Sequence, residues 1–389
     1  MMDAPGLYVH LPWCTRKCPY CDFNSHRSPA RIDEDAYVAA LLADLEAELA
    51  FAPATAVASI FIGGGTPSLF SAAAIGRLLD GIAARTTLVG NAEITLEANP
   101  GSAERARFAG YRAAGVNRLS LGIQSFDDSA LAALGRVHDG AAARAAIVAA
   151  RAAGFDNLNL DLMFGLPAVA PARALDCLDE ALTHGPEHLS WYQLTLEEGT
   201  AFARRPPRLP DHDAICDVHD AGLARLAAHG YERYEVSAFA TAGHGARHNL
   251  NYWHYGDYLG IGAGAHGKRT QGDTIVRRVK VRQPERYVKT ARAGDAVAEQ
   301  WYVAREERVG EYMINALRLR AGFALASVTA RTGIAAHEAS LATPLAAALA
   351  RGWLTLDAGR AEPTELGYRY LNDLQALFIA PAGAPAVPA

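Results

Sequence analysis

The sequence predicts an α/β protein: an incomplete parallel barrel of six β/α units, a (β/α)6-type arrangement, with a small C-terminal domain. Three observations predict it. Short strand-like runs alternate with Ala/Leu-rich helical stretches from residue 6 to about 200. Within several runs polar and apolar side chains alternate. Each run is followed by a turn motif rich in glycine, proline or polar residues, which places the special residues at one end of the sheet.

The six runs are GLYVHL, ASIFIGG, AEITLEAN, RLSLGIQ, NLNLDLM and LSWYQLTLE. In the third, Ile94 and Leu96 oppose Glu93, Thr95 and Glu97; in the fourth, Leu119, Leu121 and Ile123 oppose Ser120, Gly122 and Gln124. The fifth sets Leu158, Leu160 and Leu162 against Asn157, Asn159 and Asp161, and the sixth Leu194 and Leu196 against Gln193 and Thr195. Apolar faces suit the outer helices, so the polar faces are expected inside, lining a ligand cavity; burying so many polar groups dry is costly. GGGTPS, EANPG, QSF, FGLP and LEEGT follow the second to sixth runs and are expected at the carboxyl-end mouth. A Pro-rich connector, RRPPRLPDHD, precedes two further strand candidates, YERYEVSAF and DYLGIGAGAH. From residue 301 the chain reads as helices, then a hairpin-like WLTLD–GR–AEPTELG, then a last helix. The expected units are a core at 1–200, an extension at 201–300, a C-terminal domain at 301–380 and a disordered tail at 381–389.

Composition narrows the function. A formal charge of −5 over 389 residues gives no basis for a nucleic-acid partner, and 301–380 carries eight basic and eight acidic residues, which argues against a phosphate-tracking surface there. The start, MMDAPGLYVHLP, lacks a signal-peptide pattern, and no run of ~18 apolar residues occurs, so a cytoplasmic location is expected. Clustered cysteines there read as metal-binding or catalytic. Cys14, Cys18 and Cys21 stand as Cys-x3-Cys-x2-Cys directly after the first run. Three such thiolates suit a 4Fe–4S cubane with one iron free of protein ligands; the competing reading is zinc completed by His10 or His26. Cys177 and Cys216 lie in helical stretches and are expected as small buried hydrophobes. GGGTP offers bare amides and close backbone approach for a small ligand beside the cysteines.

With these motifs the sequence resembles the radical S-adenosylmethionine (SAM) superfamily. YVHLPWC, GGGTPS, EANPG, GVNRLSLGIQSF, LGRVH, NLDLMFGLP and LSWYQLT, in that order, are similar to the oxygen-independent coproporphyrinogen III oxidase (HemN-like) family. The resemblance implies a 4Fe–4S cluster on Cys14, Cys18 and Cys21. It implies SAM held by Tyr8, Tyr20, Gly64, Gly65, Thr66, Glu97, Gln124, Arg136 and Asp161, and a winged-helix-like C-terminal domain. Phe23 stands where the dehydrogenase has a further cysteine, and the dehydrogenase's N-terminal extension has no counterpart here, so decarboxylation of coproporphyrinogen becomes the alternative reading. HNLNYW at 248–253 resembles the motif of the haem-chaperone (HemW) branch. That implies haem bound through His248, with His254 a second candidate, beside Tyr252, Trp253 and Tyr255. The implied partners are haem or a porphyrin, an apo-haemoprotein acceptor, an electron donor and a peripheral membrane contact. KRTQGDTIVRRVKVRQPERYVK, with eight basic residues against two acidic, is expected to place Arg277 and Arg278 near the haem propionates.

Overall fold

The computed structural model describes residues 4–54, 56–101 and 105–379. The predicted tail at 381–389 lies outside them. Twelve strands form one open sheet: β1 Gly6–Leu11, β2 Ala56–Gly64, β3 Thr87–Ala98, β4 Arg118–Gln124, β5 Leu158–Phe164, β6 His188–Gln193, β7 Glu232–Glu235, β8 Ala238–Ala240, β9 Tyr258–Gly262, β10 His266–Gln271, β11 Thr274–Lys280 and β12 Val297–Tyr302. Their spatial order is β12-β11-β10-β9-β1-β2-β3-β4-β5-β6-β8-β7. From β1 to β6 every neighbour pairs in parallel, as the six repeated units predict. The two later candidates differ. YERYEVSAF splits into β7 and β8, antiparallel at the far edge, whereas β9 adds in parallel on the free side of β1. The parallel part thus has seven strands, and the β10–β12 meander extends it.

Side-chain alternation decides the two faces. Ile94, Leu96, Leu119, Leu121, Leu158 and Leu160 are buried against the outer helices, each contributing ~1.5–3 kcal/mol. Those helices include α1 Glu34–Phe51, capped by Asp33 on Ala36 N–H, and α2 Ala72–Ala83, capped by Ser71 on Ala74 N–H. On α2, Ala74, Ile75, Leu78, Leu79 and Ile82 repeat at helical spacing and are all buried. The predicted alternation fails only past β6. That strand ends at Gln193, Leu196 is exposed, and the inward residues are instead His188, Ser190 and Tyr192.

A short helix, α3 Arg247–Trp253, plugs the amino end of the barrel; its first amides, Arg247 and His248 N–H, donate to the Glu93 carboxylate at 3.2 Å each. An anion at a helix start is electrostatically favoured. The C-terminal part packs an apolar core that also takes in Tyr255 and Ile275, and runs helix α4 Arg308–Ala316, strand β13 Phe323–Ala324, helices α5 Leu325–Thr332 and α6 Ala339–Ala350, then hairpin β14 Leu354–Asp357 and β15 Arg360–Pro363. β15 pairs with both β13 and β14, the order of a winged helix. It docks on the barrel through Arg277–Glu311 and Arg318–Glu235.

The basic run at 268–289 has cations committed to carboxylates of the fold. Lys268 is buried against Asp257, and Lys280 is buried between Asp44 (2.5 Å) and Glu48 of α1. Arg278 pairs with the same Glu48 at 2.9 Å and stacks over Phe51, so it faces away from the barrel interior. A propionate contact at Arg278 is therefore ruled out by its direction.

Candidate functional site

The cysteine loop leaves β1 and is tied back by its own backbone. Trp13–Cys14 pairs in parallel with His26–Arg27. GGGTP packs against it: Gly65 N–H donates to Leu11 O (2.8 Å) and Thr66 N–H to Trp13 O (2.7 Å). A Cβ at residue 65 would come within 2.6 Å of Trp13 O, and Gly64 sits at φ +120°, open in practice only to glycine. Two of the amides expected to face a ligand are thus committed to joining the loops. The third, Gly64 N–H, donates to Glu97 Oε2 at 3.2 Å.

Cys14, Cys18 and Cys21 line one side of a cavity of about 150 Å3, together with Tyr20, Gly64, Gly65, Thr66, Glu97, Gln124, Arg136 and Asp161. Eight of the nine residues singled out around the cysteines meet there. The ninth, Tyr8, is hydrogen-bonded to His10 Nδ1 at 2.9 Å and lines the adjoining cavity instead. Arg136 is no surface arginine: Nη1 approaches Cys18 Sγ at 3.7 Å while Nη2 donates to Asn99 Oδ1 (2.5 Å) and Gly122 O (2.7 Å). Asn99 also donates to Thr66 Oγ1 at 2.9 Å, closing a chain from the cysteines to the glycine loop. Gln124, at φ +65°, accepts from Tyr192 O–H at 2.7 Å. Asp161 accepts from Asn159 Nδ2 at 2.7 Å and lies 3.4 Å from Ser120 Oγ. Asn99 and Tyr192 were not singled out from the sequence; their strand-end position in EANPG and LSWYQ was the available signal.

Burial sets the electrostatics. It pushes the Glu97 carboxyl up to about 8, with the Asp161 carboxylate adding to the rise and Gly64 N–H opposing it. It also raises the Asp161 carboxyl and the thiols of Cys14 and Cys21. Coordination by those thiols as thiolates would release their protons.

The donor set fits a cluster better than zinc. His10 has both ring nitrogens engaged, by Tyr8 O–H and by Asn24 O (2.8 Å), and His26 is bonded to Asn24 Oδ1. Neither lines the cysteine cavity. Among the described residues no three His, Cys, Asp or Glu side chains gather as a single ion requires. Cys177 is buried beside Ser125 as expected, but Cys216 is exposed on its helix near His212, so only one of the two is a buried hydrophobe.

A second cavity, of about 730 Å3, adjoins the first, and Phe23, Gly64 and Glu97 line both. Its walls come from β1, β2, β9, β10 and β11, from α3, and from Asn315 of the C-terminal domain. Tyr252, Trp253, Tyr255 and Tyr258 give it an aromatic lining, and Arg277 reaches it. The volume lies inside the ~300–1,000 Å3 range of cofactor pockets. His248 is not presented to it. The ring is buried, Nδ1 bonded to Ser59 Oγ (2.9 Å) and Nε2 to Tyr252 Oη (2.8 Å), and it packs on Phe61. Burial and then the Arg118 charge lower its pKa to about 3. The residue expected to ligate haem thus has both ring nitrogens engaged in this structure, and HNLNYW supplies the cavity's floor, with Asn249, Tyr252 and Trp253 lining it. His254 does not line this cavity either.

The Radical SAM superfamily model matches residues 8–181 and the HemN C-terminal domain model residues 303–370. Heme chaperone HemW of Escherichia coli K12 is 46% identical over 376 residues, 96% of this chain and 98% of that one. Heme chaperone HemW of Haemophilus influenzae is 44% identical over 379 residues, 96% and 97% of the two chains. Among solved structures, the E. coli coproporphyrinogen III oxidase HemN superposes with a TM-score of 0.81 at 23% identity, covering 97% of this chain and 91% of that one. Fold and cysteine site together define the class, a radical SAM protein with a HemN-type C-terminal domain. Within that class the chain belongs to the HemW family. Among the described residues no helix is long and apolar enough to cross a membrane.

Proposed function

We propose that the chain is a haem chaperone: it holds a 4Fe–4S cluster on Cys14, Cys18 and Cys21, SAM beside the cluster and haem in the aromatic cavity, and hands the haem to an apo-haemoprotein. The observation that carries this reading is the wall of Phe23, Gly64 and Glu97 shared by the cysteine cavity and the larger aromatic one. Tyr20, Gly65, Thr66, Glu97, Gln124, Arg136 and Asp161 are the proposed SAM contacts, with Tyr8 and Gly64 at the boundary with the second cavity. When bound, the cluster supplies one electron to a sulfonium.

The chain's own part is positional. Arg136 fixes the spacing of the Cys18 loop from Asn99 and Gly122, and the half-buried Asp161 and Glu97 line the same cavity, where a cationic ligand would favour their charged forms. An electron donor and a peripheral membrane contact complete the proposed partners. The boundaries at residues 200 and 300 are kept as proposed divisions; an apolar cluster lying mostly after residue 303, but taking in Tyr255 and Ile275, supports the second.

The test is anaerobic reconstitution of the full chain. Expected are iron and acid-labile sulfide in cluster proportion, an electron paramagnetic resonance signal changed by SAM, a haem Soret band, and transfer of haem to an apo-haemoprotein. Efficient conversion of coproporphyrinogen to protoporphyrinogen, or zinc in place of iron and sulfide, would overturn the reading.

A further inference from the structure

The aromatic cavity contains several side chains that could reach a haem iron, and their existing bonds separate them. Tyr8 is tied to His10, Tyr252 to His248, Tyr255 O–H to Glu311 (2.7 Å), and Tyr258 Oη accepts from Arg277 at 2.9 Å. His10 is held at both ring nitrogens and is buried. His266 differs from all of these. It stands at the start of β10, lines the cavity and is solvent-exposed. Among the described residues, neither of its ring nitrogens makes a side-chain hydrogen bond. Partial desolvation against the cavity wall, then the guanidinium charges of Arg277 and Arg282, lower its pKa, which leaves the ring neutral with a lone pair available for a metal.

The cations of the same wall separate in the same way. Lys268 is bound to Asp257, Arg277 to Glu311, and Arg278 and Lys280 to Glu48. Arg282 lines the cavity, is exposed, and has no carboxylate partner for its guanidinium among the described residues. Its backbone is anchored: Asn24 Nδ2 donates to Arg282 O and to Ala263 O, both at 2.9 Å. Asn24 follows Cys21 by three residues, so one amide group fixes the cysteine loop to the segments that carry His266 and Arg282.

We infer that His266 is the protein's axial ligand to haem iron in this cavity and that Arg282 receives a haem propionate. This rests on the haem reading above and goes beyond it by assigning the ligand to a residue outside HNLNYW. A neutral imidazole is a common axial ligand. An unpaired guanidinium at a cavity rim is the natural partner of a carboxylate. The walls that remain, Phe61, Tyr252, Trp253 and Tyr258, present aromatic surface to a flat macrocycle.

The test is haemin titration of the cluster-loaded full chain, read by Soret position, electron paramagnetic resonance of the ferric haem, and affinity. For His266→Ala the axial signature is lost, affinity falls at least about tenfold, ~1.4 kcal/mol, and added imidazole restores the wild-type spectrum. His266→Tyr places a phenolate in the same position and moves the spectrum to a different ligand class. Arg282→Gln keeps the wild-type spectrum and weakens binding about three- to tenfold, the loss of one charge-assisted contact. Iron and sulfide content should be unchanged in all three, because none touches the cysteines. If wild type binds haem but His266→Ala keeps its spectrum and affinity, the ligand assignment is wrong and the haem reading stands. If wild type binds no haem, both fall together.

Discussion

Replacing His248 by alanine separates a barrel-floor histidine from a metal ligand by energy alone. Its two ring nitrogens are shared with Ser59 and Tyr252, and the ring packs on Phe61 with centroids 5.4 Å apart. Removing it strands two hydroxyls in the interior, at about 1–3 kcal/mol each, and opens a hole beside Phe61. A loss of about 3–5 kcal/mol near neutral pH follows. The pH dependence is sharper. The folded ring has a pKa of about 3, against ~6.5 in an unfolded chain. As pH falls, the unfolded chain takes up this proton first, so the folded state loses stability. The contribution is complete above ~6.5 and drains away down to about 3, by at most ~1.4 kcal/mol per unit. The alanine variant has no such proton. The gap between wild type and variant should therefore shrink by ~2.3 kcal/mol between about pH 6.5 and 4.5. Urea unfolding of both full-length chains, followed by circular dichroism, measures it. A gap that stays constant across that window, or one below about 1 kcal/mol throughout, would mean the ring is hydrated, and the floor assignment would be wrong.

Two further substitutions test the scaffold. Gly65→Ala drives a Cβ toward Trp13 O, 2.6 Å away, and should push the cysteine loop off GGGTP. Reconstituted iron should drop at least about twofold, the sheet's circular dichroism being retained; full iron content would show that the loops need not touch. Lys280→Met leaves the buried Asp44 and Glu48 carboxylates facing each other with only Arg278 beside Glu48. Breaking a buried pair this way costs ~3–5 kcal/mol in urea unfolding. A loss under about 1 kcal/mol would mean that water reaches the pair.

What the sequence revealed followed from local rules. Alternation in AEITLEAN and NLNLDLM gave the inner face correctly because the period of a strand fixes which side each residue takes. The cysteine spacing gave its loop because those residues lie within one short segment. Non-local relations were hidden. Nothing in DYLGIGAGAH says that β9 pairs with β1 across some 250 residues, yet that pairing builds the second cavity. The partners of Lys280 in the basic run were hidden because Asp44 and Glu48 lie more than 230 residues away. The resemblance singled out His248 as a ligand, and a sequence cannot say which way a short helix enters a barrel. The Glu93 carboxylate on that helix's first amides fixes the direction, and with it the ring's burial.

The shared wall bears on how the two cavities could act together. Burial holds the Glu97 carboxyl up to about 8, so near neutral pH it is mostly protonated while it faces both spaces. A cationic ligand on the cysteine side would favour its charged form and draw that proton off, since an opposite charge within a few ångströms stabilises a carboxylate. The charge so created would stand at the edge of the aromatic cavity, where it opposes nearby carboxylates and favours a cation. Asn24 adds a mechanical link, since its amide joins the cysteine loop to Ala263 O and Arg282 O. On the haem-chaperone reading, the cluster site and the haem site share one carboxyl and one amide clamp. Neither requires a long-range change of fold.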